Sequence, residues 1–125
     1  MNQTVAKTFG GIFILIGVVG FFSGGMTMTA GKELGLFPVN IVHNVVHILI
    51  GFWGLNASRS LAGATTYCKQ AGILYLALGV LGLIPSVVDG LASVMPIGGY
   101  DHLLHFVVGG VLSFFGFIGG SEQAA

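Results

Sequence analysis

The sequence predicts an integral membrane protein of the all-α class, a four-helix up-down-up-down bundle built from two parallel two-helix repeats. Three observations predict it. First, 54% of the residues are hydrophobic and only 6% are charged, with a mean hydropathy of +0.97, whereas soluble domains carry roughly 25% charged residues. Second, four apolar stretches approach the ~20 residues that a helix needs to cross a bilayer. Third, the second half of the chain repeats the first half in outline.

The four predicted spans form one transmembrane domain that covers residues 1–125. They comprise residues 8–24, 38–56, 67–88 and 100–119, and they place the two repeats at residues 8–57 and 67–120. Pro85 lies late in the third span, and we expect it to kink or end that helix because proline cannot donate a backbone hydrogen bond.

The repeat is clearest in the second and fourth spans. Residues 38–51 and 96–109 align without gaps, since in each segment a proline is followed by a histidine and then by a glycine at the same spacing. The alignment pairs the ionisable residues of the two halves: His47 with His105, and His43 with Asp101. Because each half holds two spans, both halves insert with the same polarity, and a site is expected where the repeats meet.

The first and third spans carry the matching glycines of the repeat. Residues 17–20 and 79–82 each begin and end with glycine. Small residues at helical spacing let helix backbones approach closely inside a membrane, where no hydrophobic effect separates helix from lipid. We therefore expect small and polar residues to face the interior of the bundle, and Ile, Leu, Val and Phe to face lipid.

The basic residues predict the orientation. Lys7, Arg59 and Lys69 lie on the side of both termini and of the middle loop, whereas Lys32 alone lies on the other side. The excess of basic residues on the cytoplasmic side of membrane proteins then places both termini in the cytoplasm. The loops at residues 25–37 and 89–99 are expected outside.

Four ionisable residues form the candidate site: His43, His47, Asp101 and His105. Each pair is spaced four residues apart and therefore shares one helix face. His47 and His105 lie about 13 Å from the outer helix ends at a rise of ~1.5 Å per residue. Ionisable residues in a membrane span are costly and indicate a functional site.

Three interpretations of this cluster stay open. In the first, His47 and His105 bind haem b as axial ligands. In the second, His43, His47, Asp101 and His105 hold one transition-metal ion such as zinc, iron or copper. In either of these two, Asn44 is expected to orient an imidazole. In the third, the cluster binds nothing and hydrogen bonds, such as Asp101 to a histidine, hold the helices in register.

The predicted function is binding or electron transfer at this site, with no enzymatic activity, because no nucleophile with a base and no phosphate-binding loop is found in the sequence. A rival hypothesis is a non-catalytic small accessory subunit of a larger respiratory or photosynthetic membrane complex. In that case the histidines are a structural clamp or a pigment ligand. The predicted partners are the lipid bilayer and other membrane subunits or further copies of the chain, and no nucleic acid is expected from a net charge of zero.

The pattern resembles a family of small four-span bacterial membrane proteins, domain of unknown function 4383. The resemblance covers nearly the whole chain and rests on residues 43–47 with Gly51 and Gly54, and on residues 101–105 with Gly109. It implies the four-span fold and a bacterial inner (cytoplasmic) membrane location. It implies no activity and does not decide among the three interpretations.

Overall fold

The structure is a computed structural model that describes residues 1–22, 31–33, 37–91 and 101–119. At residues 31–33, 37–39, 91 and 101 the backbone alone is described. Within these residues the chain forms five helices and one short hairpin, in the order α1 (Asn2–Phe22), β1 (Gly31–Glu33), β2 (Phe37–Val39), α2 (Ile41–Ala57), α3 (Leu61–Leu81), α4 (Pro85–Leu91) and α5 (Asp101–Phe117). The prediction of a helical protein is confirmed.

The third helix begins and ends earlier than the apolar pattern predicts. It begins at Leu61 because the Ser60 side chain caps it, accepting a hydrogen bond of 2.9 Å from the Gly63 backbone N–H. It ends before Gly82, and Pro85 then opens the short helix α4. Proline fits the first position of a helix and disfavours helix in the residue before it. The expectation that the helix ends near Pro85 agrees with this arrangement.

The second helix begins later than predicted, at Ile41 rather than Pro38. Pro38 instead lies in β2, where it pairs with Lys32 of β1 in an antiparallel hairpin. The segment predicted as a plain outer loop therefore holds two short strands. The matching proline of the second half, Pro96, lies outside the described residues.

The four long helices pack as two antiparallel pairs, α1 with α2 and α3 with α5. The largest contact between the pairs is that of α1 with α3, and α2 also packs against α3. Glycines set the close approach within each pair. A Cβ atom on Gly10 would lie 2.7 Å from the Gly51 carbonyl oxygen, and one on Gly109 would lie 2.6 Å from the Leu76 nitrogen.

Equivalent positions of the two halves make equivalent contacts. Gly20 of α1 faces Asn44 of α2 so closely that a Cβ atom there would overlap the amide. In the second pair, Gly82 at the end of α3 faces His102 of α5 in the same way. Asn44 and His102 occupy the same position of the aligned segments. Both halves therefore have a glycine packed against a polar side chain at this position, an amide in the first half and an imidazole in the second.

The interior of the bundle combines small, aromatic and polar residues, and its surface carries many large apolar side chains. The buried polar residues are Asn2, Asn40, His43, Asn44, His47 and His105. The exposed large apolar residues occur on all four long helices and include Leu15, Leu49, Ile73 and Leu103. By length and composition, α1 is the described helix that is long and apolar enough to cross a bilayer, and α2 and residues 102–117 of α5 are apolar but shorter.

One end of the bundle is fastened by the first residues of the chain. The buried Asn2 amide donates hydrogen bonds to the Thr65 hydroxyl at 3.0 Å and to the Phe115 carbonyl at 3.1 Å. Gln3 donates to the Ser58 carbonyl at 3.3 Å. The start of α1 is thereby joined to the other three long helices, opposite to the end at which His43 lies.

Adjacent glycines test this packing within one helix. Gly10→Ala should lower the free energy of unfolding by about 1–3 kcal/mol, because the methyl group meets immobile backbone. The methyl group of Gly11→Ala would meet nothing within 4 Å, and this change should raise the free energy of unfolding by about 0.5–1 kcal/mol. Denaturant titration in detergent measures both, and equal effects of the two changes would contradict the packing described.

Candidate functional site

Three of the predicted site residues lie together around one cavity inside the bundle. His43 and His47 come from α2 and His105 comes from α5, and their side chains are 3%, 7% and 3% exposed. The cavity has a volume of about 150 Å³, and its lining is completed by Val46, Ile50, Leu74, Tyr75 and Leu78. The sequence-predicted convergence of imidazoles from the two halves is therefore present in the structure.

The first turn of α2 places the two imidazoles of that helix. Asn40 is fully buried and caps α2, its side-chain oxygen accepting a hydrogen bond of 2.9 Å from the His43 backbone N–H. From this fixed start, His43 and His47 follow one turn apart on the inner face. Their ring centroids are 4.5 Å apart.

Two aromatic residues that the sequence reasoning missed connect the histidines of the two halves. The Phe13 ring of α1 stacks on the His47 imidazole with centroids 6.1 Å apart, and on the Tyr75 ring of α3 at 5.2 Å. Tyr75 in turn contacts the His105 imidazole at 5.6 Å. We call these four side chains the aromatic chain: His47, Phe13, Tyr75 and His105.

The aromatic chain has the symmetry of the repeat. Phe13 and Tyr75 occupy equivalent positions when the first spans are aligned on their glycines, as His47 and His105 do in the second spans. The contact of His47 with Phe13 in one half thus corresponds to that of His105 with Tyr75 in the other. Extending the alignment of residues 17–20 with 79–82 by one turn toward the N-terminus was the signal that could have found both residues.

The imidazoles of His47 and His105 each keep one nitrogen without a partner among the described residues. The Nδ1 atoms of both are buried and have no hydrogen-bond partner there. Most buried polar side-chain atoms in proteins have a partner, and leaving one without it is costly. A neutral imidazole offers one donor and one acceptor, so both rings retain the capacity to bind a ligand.

The remaining predicted residues are placed differently. Asp101 is the first residue of α5, but its side chain lies outside the described part of the chain. The clamp interpretation requires a histidine to donate a hydrogen bond to the Asp101 carboxylate, and this contact therefore remains a prediction. His102 packs against Gly82, and Asn44 packs against Gly20, so both side chains lie at helix contacts within their own pair.

The cavity fits a small ligand better than a porphyrin. Pockets for drug-sized ligands begin at about 300 Å³, and the cavity here is about 150 Å³. Ligation of haem by both His47 and His105 would thus require α2 and α5 to lie farther apart. Among the described residues, no group of three or more His, Cys, Asp or Glu side chains is arranged to hold one metal ion. His47 and His105 would need a further ligand, for which Asp101 is the predicted candidate.

Comparison with protein families gives one match, which runs over residues 3–118. It is the family described as Domain of unknown function (DUF4383). The chain belongs to this family. The match spans α1 to α5 and so includes the three cavity histidines and the aromatic chain. Comparison with curated proteins and comparison with solved structures give no significant match.

The cap of α2 gives a prediction for the site. Asn40→Ala should lower the free energy of unfolding by about 1 kcal/mol and speed hydrogen exchange at the His43 backbone N–H, because the cap bond to that group is lost. Asn40→Ser keeps an oxygen acceptor and should change both quantities little. If the serine and alanine variants exchange equally fast in NMR measurements, the cap does not hold this turn.

Proposed function

We propose that the protein is an integral membrane four-helix bundle, running up, down, up and down, that binds a small ligand or ion through His47 and His105. The membrane placement is supported by the distribution of residues between surface and interior. Soluble bundles bury their apolar face, whereas here histidines and asparagines are buried and large aliphatic residues are exposed. The helices α1 and α3 have 21 residues and α2 and α5 have 17, within the range of about 17–25 for spanning helices.

The orientation proposed is that both termini lie in the cytoplasm of a bacterial inner membrane. Lys7, Arg59 and Lys69 all belong to the end of the bundle that Asn2 fastens, and the Lys69 ammonium lies 5.4 Å from the centre of the Phe117 ring at the end of α5. Basic residues near span ends favour the cytoplasmic side. The histidine cavity then belongs to the outer half of the membrane.

The binding function is carried by one observation: three imidazoles from two halves of the chain line one cavity. The rest of the lining is four aliphatic side chains and Tyr75, so the imidazoles are the groups that can bind an ion or a polar ligand there. We propose binding, with no catalysis by the protein itself.

Of the two cofactors predicted, a transition-metal ion suits the cavity volume better than haem b. The residues that would hold an ion are His47 and His105, with Asp101 as the further predicted ligand; His43, also predicted, is not grouped with the other two histidines to hold one ion. Imidazole nitrogen suits zinc, copper and iron. A bound ion would supply redox or Lewis-acid chemistry in the outer half of the membrane, and the chain would supply the ligands and exclude water.

Metal analysis of the purified protein tests this assignment. The wild-type protein should carry a transition metal, and His47→Ala and His105→Ala should each lose it. His102→Ala, on the same helix as His105 but outside the cavity, should keep it. An absorption spectrum distinguishes the cofactors, since haem gives a Soret band and a zinc or copper(I) ion does not. Protein isolated without metal and without a Soret band would contradict both.

A second candidate, a small subunit of a larger membrane complex, is favoured by the outward face of α5. This face carries large exposed side chains around a glycine; it comprises Leu103, Val107, Gly110, Val111 and Phe114. Phe106 and Phe117 lie at its edges, where they contact Gly79 and Lys69 of α3. A Cβ atom on Gly110 would meet nothing within 4 Å. Small residues at membrane helix surfaces permit close packing of a further helix.

Matched glycine variants test the subunit hypothesis. Gly110→Ile should release the protein from any larger assembly in mild detergent, because the added side chain blocks close approach at α5. Gly11→Ile on α1, where a Cβ atom likewise meets nothing, should leave the assembly intact. Native electrophoresis reports the size of each. A wild-type protein that migrates alone would rule the hypothesis out.

A further inference from the structure

The cavity opens sideways, between α2 and α3, on the apolar surface of the bundle. Val46 and Ile50 of α2 and Leu74 and Leu78 of α3 are the lining residues that keep some exposure, so we place the mouth between them. Leu74 is 41% exposed, and the neighbouring Ile73 is among the exposed apolar residues of the same helix. If the bundle lies in a bilayer as proposed above, this mouth faces acyl chains. The molecules that can enter are therefore those dissolved in lipid.

The size of the cavity selects a single small ring. A cavity of about 150 Å³ with apolar walls accepts a molecule such as benzene, and the cavity here has that volume. A sterol or a porphyrin is much larger. The Tyr75 ring forms one wall of the cavity and is itself supported by Phe13 at 5.2 Å. A flat ring can stack on this wall.

The polar groups that line the cavity indicate which substituents the bound ring carries. The imidazoles of His47 and His105 line the cavity from opposite halves of the chain. A ligand with two oxygen atoms on opposite sides of its ring can bond to both imidazoles. No Lys, Arg, Asp or Glu is among the described residues that line the cavity. Since burying an unpaired charge is very costly, the ligand is uncharged.

We infer that the cavity takes the headgroup of a quinone or quinol, which enters from the bilayer between α2 and α3. Such a headgroup is an uncharged six-membered ring with two opposite oxygen atoms, and the isoprenoid tail of the lipid-soluble forms would leave through the mouth between Val46 and Leu74. A fatty acyl chain lacks the oxygen pair, and a phospholipid headgroup carries charge. The inference rests on the binding role proposed for His47 and His105 and names a ligand other than the ion.

Histidine NMR with duroquinone (tetramethyl-1,4-benzoquinone) tests the inference on the full chain in detergent. The chain has four histidines, so ¹⁵N-labelled imidazoles give an assignable spectrum. Duroquinone should shift the His47 and His105 signals saturably and leave His102, which lies outside the cavity, unchanged. Benzene has the ring without the oxygen atoms, and it should fail to produce the shifts of the Nδ1 signals.

Paired tryptophan variants locate the entry. Leu74→Trp fills the mouth and should weaken duroquinone binding about tenfold or more. Ile73→Trp places the same ring on the adjacent, outward residue and should change the affinity less than twofold. Ile50→Trp, with Leu49→Trp as its control, repeats the comparison on α2 if the first variant fails to fold. If both tryptophan variants of each pair change the duroquinone affinity equally, the ligand does not enter between α2 and α3.

Titration with Zn²⁺ separates this inference from the binding function. If Zn²⁺ shifts the His47 and His105 signals and duroquinone does not, the quinone assignment is wrong and the binding of an ion by the imidazoles stands. If neither shifts them, both proposals fail. If duroquinone alone shifts them, the quinone assignment is supported and the ion assignment fails. Shifts by benzene equal to those by duroquinone would overturn the oxygen contacts.

Discussion

The stacking of Phe13 on Tyr75 is the contact on which the rest of the arrangement depends. These two rings lie 5.2 Å apart and nearly parallel, at an interplanar angle of 6°, and they belong to α1 and α3, which make the largest contact between the two helix pairs. Aromatic pairs of this kind contribute ~0.5–1.5 kcal/mol beyond the area they bury. Because each ring also contacts one histidine, the contact that joins the halves also sets the positions of His47 and His105.

Glycine makes this central contact possible. In each antiparallel pair a glycine on one helix meets backbone on the other, as Gly10 meets Gly51 and Gly109 meets Leu76. Because the helices of each pair lie so close together, bulky residues do not fit between them. They lie instead in the aromatic chain at the centre and on the apolar outer surface. The same division is expected of the membrane placement proposed above, in which the apolar surface would meet lipid.

The two halves have equivalent helices and helix contacts, but several of their equivalent side chains differ. His43 corresponds to Asp101, Asn44 to His102, and Phe13 to Tyr75, whereas His47 and His105 are the same in both. The shared histidines line the cavity together with His43 and Tyr75, which differ from their counterparts in the other half. A site of this kind can hold a symmetric group, such as an ion or a ring with two opposite oxygen atoms, and still distinguish its two sides. The family match covers these residues and carries no activity that would choose between the ligands.

Much of the fold followed from the sequence, because apolar period and glycine spacing are local properties. They predicted four long helices and the inward face that carries His43, His47 and His105. They misplaced the starts of α2 and α3, since Asn40 and Ser60 decide those starts through single cap hydrogen bonds that a hydropathy pattern does not record. The hairpin of β1 and β2 was missed for a similar reason, because strands of three residues are too short to show a period.

By itself, the sequence determined that ionisable residues at matching positions of a repeat would meet inside an apolar bundle. Repetition along the chain becomes symmetry in space when both halves insert with the same polarity. The tertiary structure alone decided what lies next to those residues. The imidazoles of the two halves could enclose a haem-sized gap or a cavity of about 150 Å³. Which of the two they enclose depends on how closely α1 and α3 approach. That distance is set by the packing of Phe13 on Tyr75, two rings that are far apart in the chain.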